Sequence, residues 1–260
     1  MITVVIPVYN RPELVKRAIL SVMEQSLKAD EIIVIDDGST DDTCEVLKDF
    51  DAIKVITQKN GGVSKARNRG IKEAKHAWIA FLDSDDVWHK DKLKIQSAFH
   101  KQNPHILFSH TQEAWIRDDK VIKQKKQHQK PKGFCFNENL NFCKIAPSTV
   151  MMHKSIFEKV GYFDESLEVC EDYDLWLRVL KTYEVGLVDE VLTTKYAGHE
   201  QLSFKYHSMD KFRIEALLKH KEEVIVKQEI EKKLELLVKG AIKHQNSELI
   251  AFCKAISQDL

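Results

Sequence analysis

Short apolar runs and longer amphipathic stretches alternate over the first hundred residues. Ile2–Val8 is β-rich and predicts a strand. Behind it, Pro12 suits a helix's first turn, and Leu14, Ala18, Ile19, Val22 and Met23 recur at helical spacing. Glu31–Ile35 predicts a second strand, ended by Asp-Asp-Gly-Ser-Thr-Asp-Asp, whose acids and hydroxyls are turn and capping residues for a helix through Val46 and Leu47. Ile53–Thr57 predicts a third strand, Val63–Ala74 a helix after Gly61-Gly62, and Ala77–Leu82 a buried fourth strand running into Asp83-Ser84-Asp85-Asp86. This βαβαβαβ order implies an α/β fold, a mostly parallel sheet covered by helices on both faces.

Past Phe108 the pattern loosens. Arg117–Lys132 is polar and reads as a hairpin or a mobile loop. Order resumes near Ala146, with Ser148–Met152 strand-like and Ser155–Val160 a short helix stopped by Gly161. Glu171-Asp172 then precedes an amphipathic helix containing Leu175, Trp176, Val179 and Leu180. Met209–Leu260 is rich in Glu, Lys and Leu, with apolar positions at Ile230, Leu234, Leu237 and Ala241. It predicts two or three helices packed on the main domain or on a second copy of the chain, a homodimer. The boundaries expected are 1–204 for the main domain and 205–260 for a helical extension.

Composition narrows the class. Hydrophobic residues make up 43% and charged residues 31%, with 40 Lys+Arg against 40 Asp+Glu, so the chain lacks the basic excess of a nucleic-acid-coating protein. Runs such as Thr3–Val8 fall far short of the roughly 20 apolar residues a membrane span requires. The start Met-Ile-Thr-Val carries no basic signal-peptide region, so a cytoplasmic location is expected, with peripheral contact with a membrane left open. Five cysteines without a CxxC pair argue against a disulfide framework and a structural zinc site. Charge is nonetheless segregated: Asp30–Asp51 is acidic and Arg117–Lys132 basic, a pattern that solvated loops and helix faces alone also produce.

In such sheets ligands gather beyond the carboxyl ends of the strands. Tyr9-Asn10-Arg11, Asp36-Asp37, Asn60-Gly61-Gly62 and Asp83–Asp86 all fall there, while no GxGxxG and no P-loop is present. Asp83-Ser84-Asp85 supplies hard oxygen ligands suited to Mg2+ or Mn2+ bridging a diphosphate. The competing reading is a helix cap, because Asp86 precedes the helical-looking Val87–Phe99.

Five segments in order, Val4–Asn10, Val34–Asp41, Asn60–Asn68, Phe81–Asp86 and Glu171–Arg178, together resemble the family 2 glycosyltransferases of the GT-A fold over about residues 1–200. The resemblance implies a nucleotide-sugar-binding half at 1–100 and an acceptor-binding half at 101–204. It places Pro7, Val8 and Tyr9 against the nucleotide, Asp37 on its base and Arg67 nearby. Asp83 and Ser84 would then face the donor ribose or sugar and Asp85 the metal, with Glu171-Asp172 as the acceptor-activating pair and Asp172 as base. His199 resembles a late histidine that reaches the metal or diphosphate. The implied function is inverting transfer from a nucleotide-diphosphate sugar, a UDP-sugar first of all, to a glycan or lipid-linked saccharide of a surface polysaccharide. A sugar-1-phosphate nucleotidyltransferase would need a Gly-rich, basic segment near residue 10, which Tyr9-Asn10-Arg11-Pro12 does not supply. A non-catalytic nucleotide-sugar-binding module is the other alternative, against which Asp85 and Asp172 both stand. Trp78, Trp88 and Trp176 read as core, and Trp115 as a surface on which an acceptor sugar can stack.

Overall fold

The computed structural model describes residues 1–196, 206 and 208–260. Its first half is the expected alternation: β1 (Ile2–Val8), α1 (Pro12–Met23), β2 (Glu31–Asp36), α2 (Thr43–Leu47), β3 (Lys54–Thr57), α3 (Val63–Glu73) and β4 (Trp78–Phe81). There follow β5 (Val87–Trp88), α4 (Lys92–Gln102), β6 (Phe108–Arg117), β7 (Lys120–Ile122), β8 (Met151–His153), α5 (Ser155–Val160), α6 (Glu171–Leu180) and β9 (Val185–Tyr196). Three helices close the chain: α7 (Met209–Leu218), α8 (Val224–Lys243) and α9 (Ser247–Asp259).

One sheet runs in the order β3-β2-β1-β4-β8-β6-β9-β5, with β7 on β6. β1, β2, β3 and β4 pair in parallel, so their carboxyl ends meet on one edge. β8 lies antiparallel between β4 and β6, whereas β9 runs parallel to β6 with register shifts near Gln112. Alternation along β1 sends Val4 and Ile6 to a core layer with Val15, Ala18 and Ile19 of α1. Val5 goes to the opposite layer with Ala66 and Ile71 of α3. Gly70 permits that second contact: a Cβ there would stand 2.3 Å from a methyl of Val5.

Two local expectations are corrected. Val87-Trp88 is not the start of a helix but a strand paired with Thr193 and Thr194 of β9, so α4 begins at Lys92 and Asp86 does not cap it. Ser148 lies in a 3-10 turn, Pro147–Thr149, ahead of the shorter strand β8.

The C-terminal stripe packs on the main body. Val226, Ile230, Leu234, Leu237 and Ala241 of α8 share a core layer with Leu140 and with Tyr173 and Leu177 of α6. Burial of each such side chain contributes about 1.5–3 kcal/mol. Lys219 at the end of α7 reaches Asp164 and Asp174, 2.6 Å from each, pinning α7 to α6.

Candidate active site

The acids that follow β2 and β4 do different work. Asp37, buried at the end of β2, accepts hydrogen bonds from Gly61 N and Gly62 N and from Gln58 Nε2 at 2.7 Å. It thereby shapes the turn before α3, where Gly62 adopts the left-handed φ of 87° that glycine tolerates. Roughly one of its four acceptor directions stays open to a ligand. Pro7 and Val8 are buried beside it, and Tyr9 projects, 45% exposed. Asn10 holds this edge together: its backbone N–H donates to Ser39 Oγ and its side-chain oxygen accepts from Thr40 N.

After β4 the acids fan out to three cations. Asp83 accepts from Arg67 at 2.6 Å, Asp85 from Arg11 at 2.9 Å, and Asp86 from Lys195 at 3.1 Å. Ser148 bridges the turn, accepting from Asp83 N and donating to Asp86 at 2.6 Å. Asp86 is fully buried, and its second oxygen has no partner among the described residues. Burial pushes its carboxyl up to about 7, with Lys195 opposing and Asp85 and Asp83 reinforcing. Asp83 behaves oppositely. Burial raises it, but Arg67 and Lys195 outweigh burial and hold it below the usual carboxylate range.

Arg67 links this turn to α6. Its other guanidinium nitrogen donates to Glu171 at 2.6 Å, and the side chain is almost wholly enclosed. Burial works against its charge, yet Asp83 and Glu171 keep it firmly protonated. Glu171 is therefore not a simple cap: the residue before α6 is Cys170, in the left-handed region at φ 64°, with no side-chain capping bond. Burial pushes both Glu171 and Asp172 upward, against the pull of Arg67. Asp172 accepts from Tyr173 N at 2.7 Å and from the Cys143 thiol at 3.4 Å. Cys143 stays a thiol, raised well above its ordinary value by burial and by Asp172.

Asp83 and Glu171 thus share Arg67, Asp85 is held separately by Arg11, Asp172 adjoins Glu171, and Asp37, Pro7, Val8 and Tyr9 line the neighbouring strand ends. Ser84 is buried inside the turn. His199 lies outside the described residues. Among the described residues no group of three His, Cys, Asp or Glu side chains forms a ready-made cation cage. Mg2+ commonly takes one or two carboxylates and completes its shell with substrate phosphates and water. Asp85, with 17% of its side chain exposed, and the unpartnered oxygen of Asp86 fit that demand. The broad groove of about 1040 Å3 between α1 and β5 contains none of these carboxylates.

Sequence reasoning missed Arg11, Ser148, Cys143 and Lys195. Arg11 adjoins a motif already noted, and Ser148 follows a proline in a turn-forming run. Nothing local marks Cys143 or Lys195, which reach the site through long-range pairing of β9 and packing on α6.

Glycosyl transferase family 2 is the family whose profile matches this chain, over residues 3–161. An uncharacterized glycosyltransferase of Rickettsia conorii is 39% identical over 195 residues, 74% of this chain and 32% of that protein. The chain therefore spans about a third of the length of such relatives. The Escherichia coli UDP-Glc:alpha-D-GlcNAc-diphosphoundecaprenol beta-1,3-glucosyltransferase WfaP is 33% identical over 198 residues, 73% of this chain and 75% of its own length. Among solved structures, Staphylococcus aureus TarS 1–349 in complex with UDP-GlcNAc superposes with a TM-score of 0.67 at 20% identity. That match covers 92% of this chain and 70% of TarS 1–349, and it is a likeness of fold. With the profile covering more than half of the sequence and the strand-end acids in place, the chain belongs to glycosyltransferase family 2.

Proposed function

We propose that this chain transfers a sugar, with inversion, from a UDP-sugar to a hydroxyl of a lipid-linked saccharide in surface polysaccharide synthesis. The observation that carries the reading is Arg67, bonded at 2.6 Å to Asp83 on one side and Glu171 on the other. That bridge sets the acids after β4 within one guanidinium of those opening α6, so donor and acceptor groups share a single site. The UDP-GlcNAc complex of TarS and the UDP-Glc specificity in the name of WfaP support the donor class; the diphosphoundecaprenol acceptor in that name supports the lipid-linked one.

In this reading Pro7, Val8 and Tyr9 bound the nucleoside, Asp37 accepts from the base through its remaining lone pair, and Asp83 and Ser84 face the donor sugar. Asp85, with Asp86 Oδ1 and His199 as further ligands, would hold a Mg2+ or Mn2+ ion, which would supply neutralisation of the leaving diphosphate. Asp172 takes the acceptor hydroxyl's proton; the acceptor oxygen bonds to the anomeric carbon as the bond to the diphosphate oxygen breaks, and UDP departs. Glu171, tied to Arg67, keeps the pair in register. A carboxyl raised by burial is a stronger base than an exposed one once ionised, which suits Asp172 to this task.

The test is Asp172→Asn. UDP binding should persist, while transfer from UDP-sugars to an alkyl-diphospho-GlcNAc acceptor falls by roughly 10²–10⁴. Near wild-type turnover in this variant overturns the assignment of the base, and failure of the wild-type chain to bind UDP with or without Mn2+ overturns the reading as a whole.

A further inference from the structure

Three aromatic side chains cluster beside the segment that carries Cys143 and take no part in the chemistry above. Trp115 of β6 and His128 have ring centroids 5.4 Å apart, and His128 and Phe142 5.3 Å, each pair meeting edge to face. All three are partly exposed. Each edge-to-face contact covers one face of one ring only, the Lys144 ammonium lies 5.6 Å from the centroid of Phe142, and a partly exposed aromatic patch is a common mark of a ligand surface.

The cluster is built rather than loosely folded. Lys130, buried although it belongs to the most basic stretch of the chain, donates to Glu113 of β6 at 2.7 Å and to the carbonyl of Lys144 at 2.8 Å. It thus clamps the Phe142–Lys144 segment to β6. The Trp115 indole N–H donates to the same Glu113 at 2.9 Å, which fixes the plane of that ring. From the other side, Lys233 of α8 donates to the carbonyl of Asn141. Phe142 is followed directly by Cys143, whose thiol donates to Asp172. Trp115 stands opposite Lys195 across β6 and β9, and Lys195 pairs with Asp86. Phe142 thus adjoins the residue whose thiol reaches Asp172, and Trp115 pairs in register with the residue that reaches Asp86. Glu113 contributes a buried second oxygen that has no partner among the described residues.

We infer that Trp115, His128 and Phe142 form the acceptor-saccharide subsite, stacking on the apolar face of the sugar whose hydroxyl is presented to Asp172, with Glu113 available to a neighbouring hydroxyl. The occupant is a pyranose rather than a lipid tail. The patch borders the Glu113 carboxylate, whose second oxygen an alkyl chain would leave without a partner and a hydroxyl would not. This inference rests on the proposed function and specifies where its acceptor lies.

The experiment uses the full chain with two variants, Trp115→Ala and Phe142→Ala, and with Trp115→Phe as the ring-preserving control. Acceptor KM is measured with an alkyl-diphospho-α-GlcNAc at saturating UDP-sugar, and UDP affinity is measured separately by calorimetry. Removing either ring should raise acceptor KM by roughly tenfold or more with UDP affinity unchanged, and Trp115→Phe should recover most of the loss. In parallel, quenching of tryptophan emission by the acceptor without its donor should occur in the wild type and diminish in Trp115→Phe. Unchanged acceptor KM in both alanine variants overturns the subsite while leaving the proposed function standing. A rise in acceptor KM matched by an equal loss of UDP affinity also overturns it, because the rings then support the fold and not the acceptor. Absence of UDP binding in the wild type is the separate failure of the functional reading.

Discussion

Replacing Arg67 with methionine should cost the fold more than any other single change at the site, and the cost should depend on pH. Arg67 is 3% exposed and its guanidinium holds two carboxylates at 2.6 Å, so methionine fills much of its volume and leaves Asp83 and Glu171 buried without a cation. Breaking a buried ion pair from one side typically costs about 3–5 kcal/mol at neutral pH. The sign against pH follows from the two acids. In the wild type Asp83 is depressed, so its contribution is present at neutral pH and is lost as pH falls through its folded value. Glu171 is already raised, so its ionised form costs stability at neutral pH and the cost vanishes on acidification. Without Arg67 both acids move up. The folded variant then binds more protons than its unfolded chain above about pH 4, and its stability climbs toward low pH by up to about 1.4 kcal/mol per unit for each extra proton. Urea unfolding of wild type and variant at pH 5 and pH 8 measures this directly. The gap between them should be larger at pH 8. An equal gap at both values, or a loss under about 1 kcal/mol, refutes the reasoning, since the carboxylates would then not depend on Arg67 for their charge.

Other perturbations reach different parts of the site. Asp85→Ala should abolish the portion of UDP affinity that depends on Mn2+, seen as equal calorimetric affinity with Mn2+ and with EDTA, whereas the wild type should differ between the two. Transfer rate at saturating substrates should fall as pH drops through the raised value of Asp172, above the range of an ordinary aspartate, and a rate already flat at pH 5 would show the base to be a normal carboxylate. Leu234→Ala in α8 should destabilise the chain by about 2–5 kcal/mol in urea unfolding, because that side chain is buried against the layer containing Tyr173 and Leu177; an effect below about 0.5 kcal/mol would mean that the C-terminal helices contribute nothing to the body of the fold.

Much of the donor side was legible along the chain because its residues come as contiguous groups at strand ends. A β1 buried on both faces and the alternation of strands with helices imply a parallel sheet whose loops converge at one edge, so Asp37, Asp83 and Asp85 could be placed together from the sequence. The error at Val87-Trp88 has the same root as the missed Lys195. A two-residue strand has no periodicity of its own, and Val87 and Trp88 are extended only because Thr193 and Thr194 pair with them. The helical spacing from Val87 to Phe99 was real from Lys92 onward and accidental before it. Lys130 misled for another reason. Seven basic residues in Arg117–Lys132 average to a solvated surface, and one of them is buried because a single carboxylate, Glu113, lies beneath it. Averages over a window cannot register a pairing with one distant acid.

The C-terminal helices were foreseen as a packed stripe, but their relation to the chemistry comes from three contacts that no periodicity contains. Tyr173, next to Asp172, donates its hydroxyl to the carbonyl of Leu140 and shares a core layer with Ile230 and Leu234 of α8. Lys219 ties α7 to Asp174 in the first turn of α6, and Lys233 ties α8 to Asn141. Helix α6 and the loop at residues 140–144 are therefore held from the outside by α7 and α8, and from the inside by Arg67 and Lys130. A carboxylate serving as a base must keep its position to within about 0.5 Å, and groups held so closely are ones whose neighbours are themselves locked by packing and hydrogen bonds. The family profile ends at residue 161, before α6 begins. The segment beyond it supplies both Asp172 and the helices that brace α6, so the placement of that carboxylate depends on packing outside the matched profile.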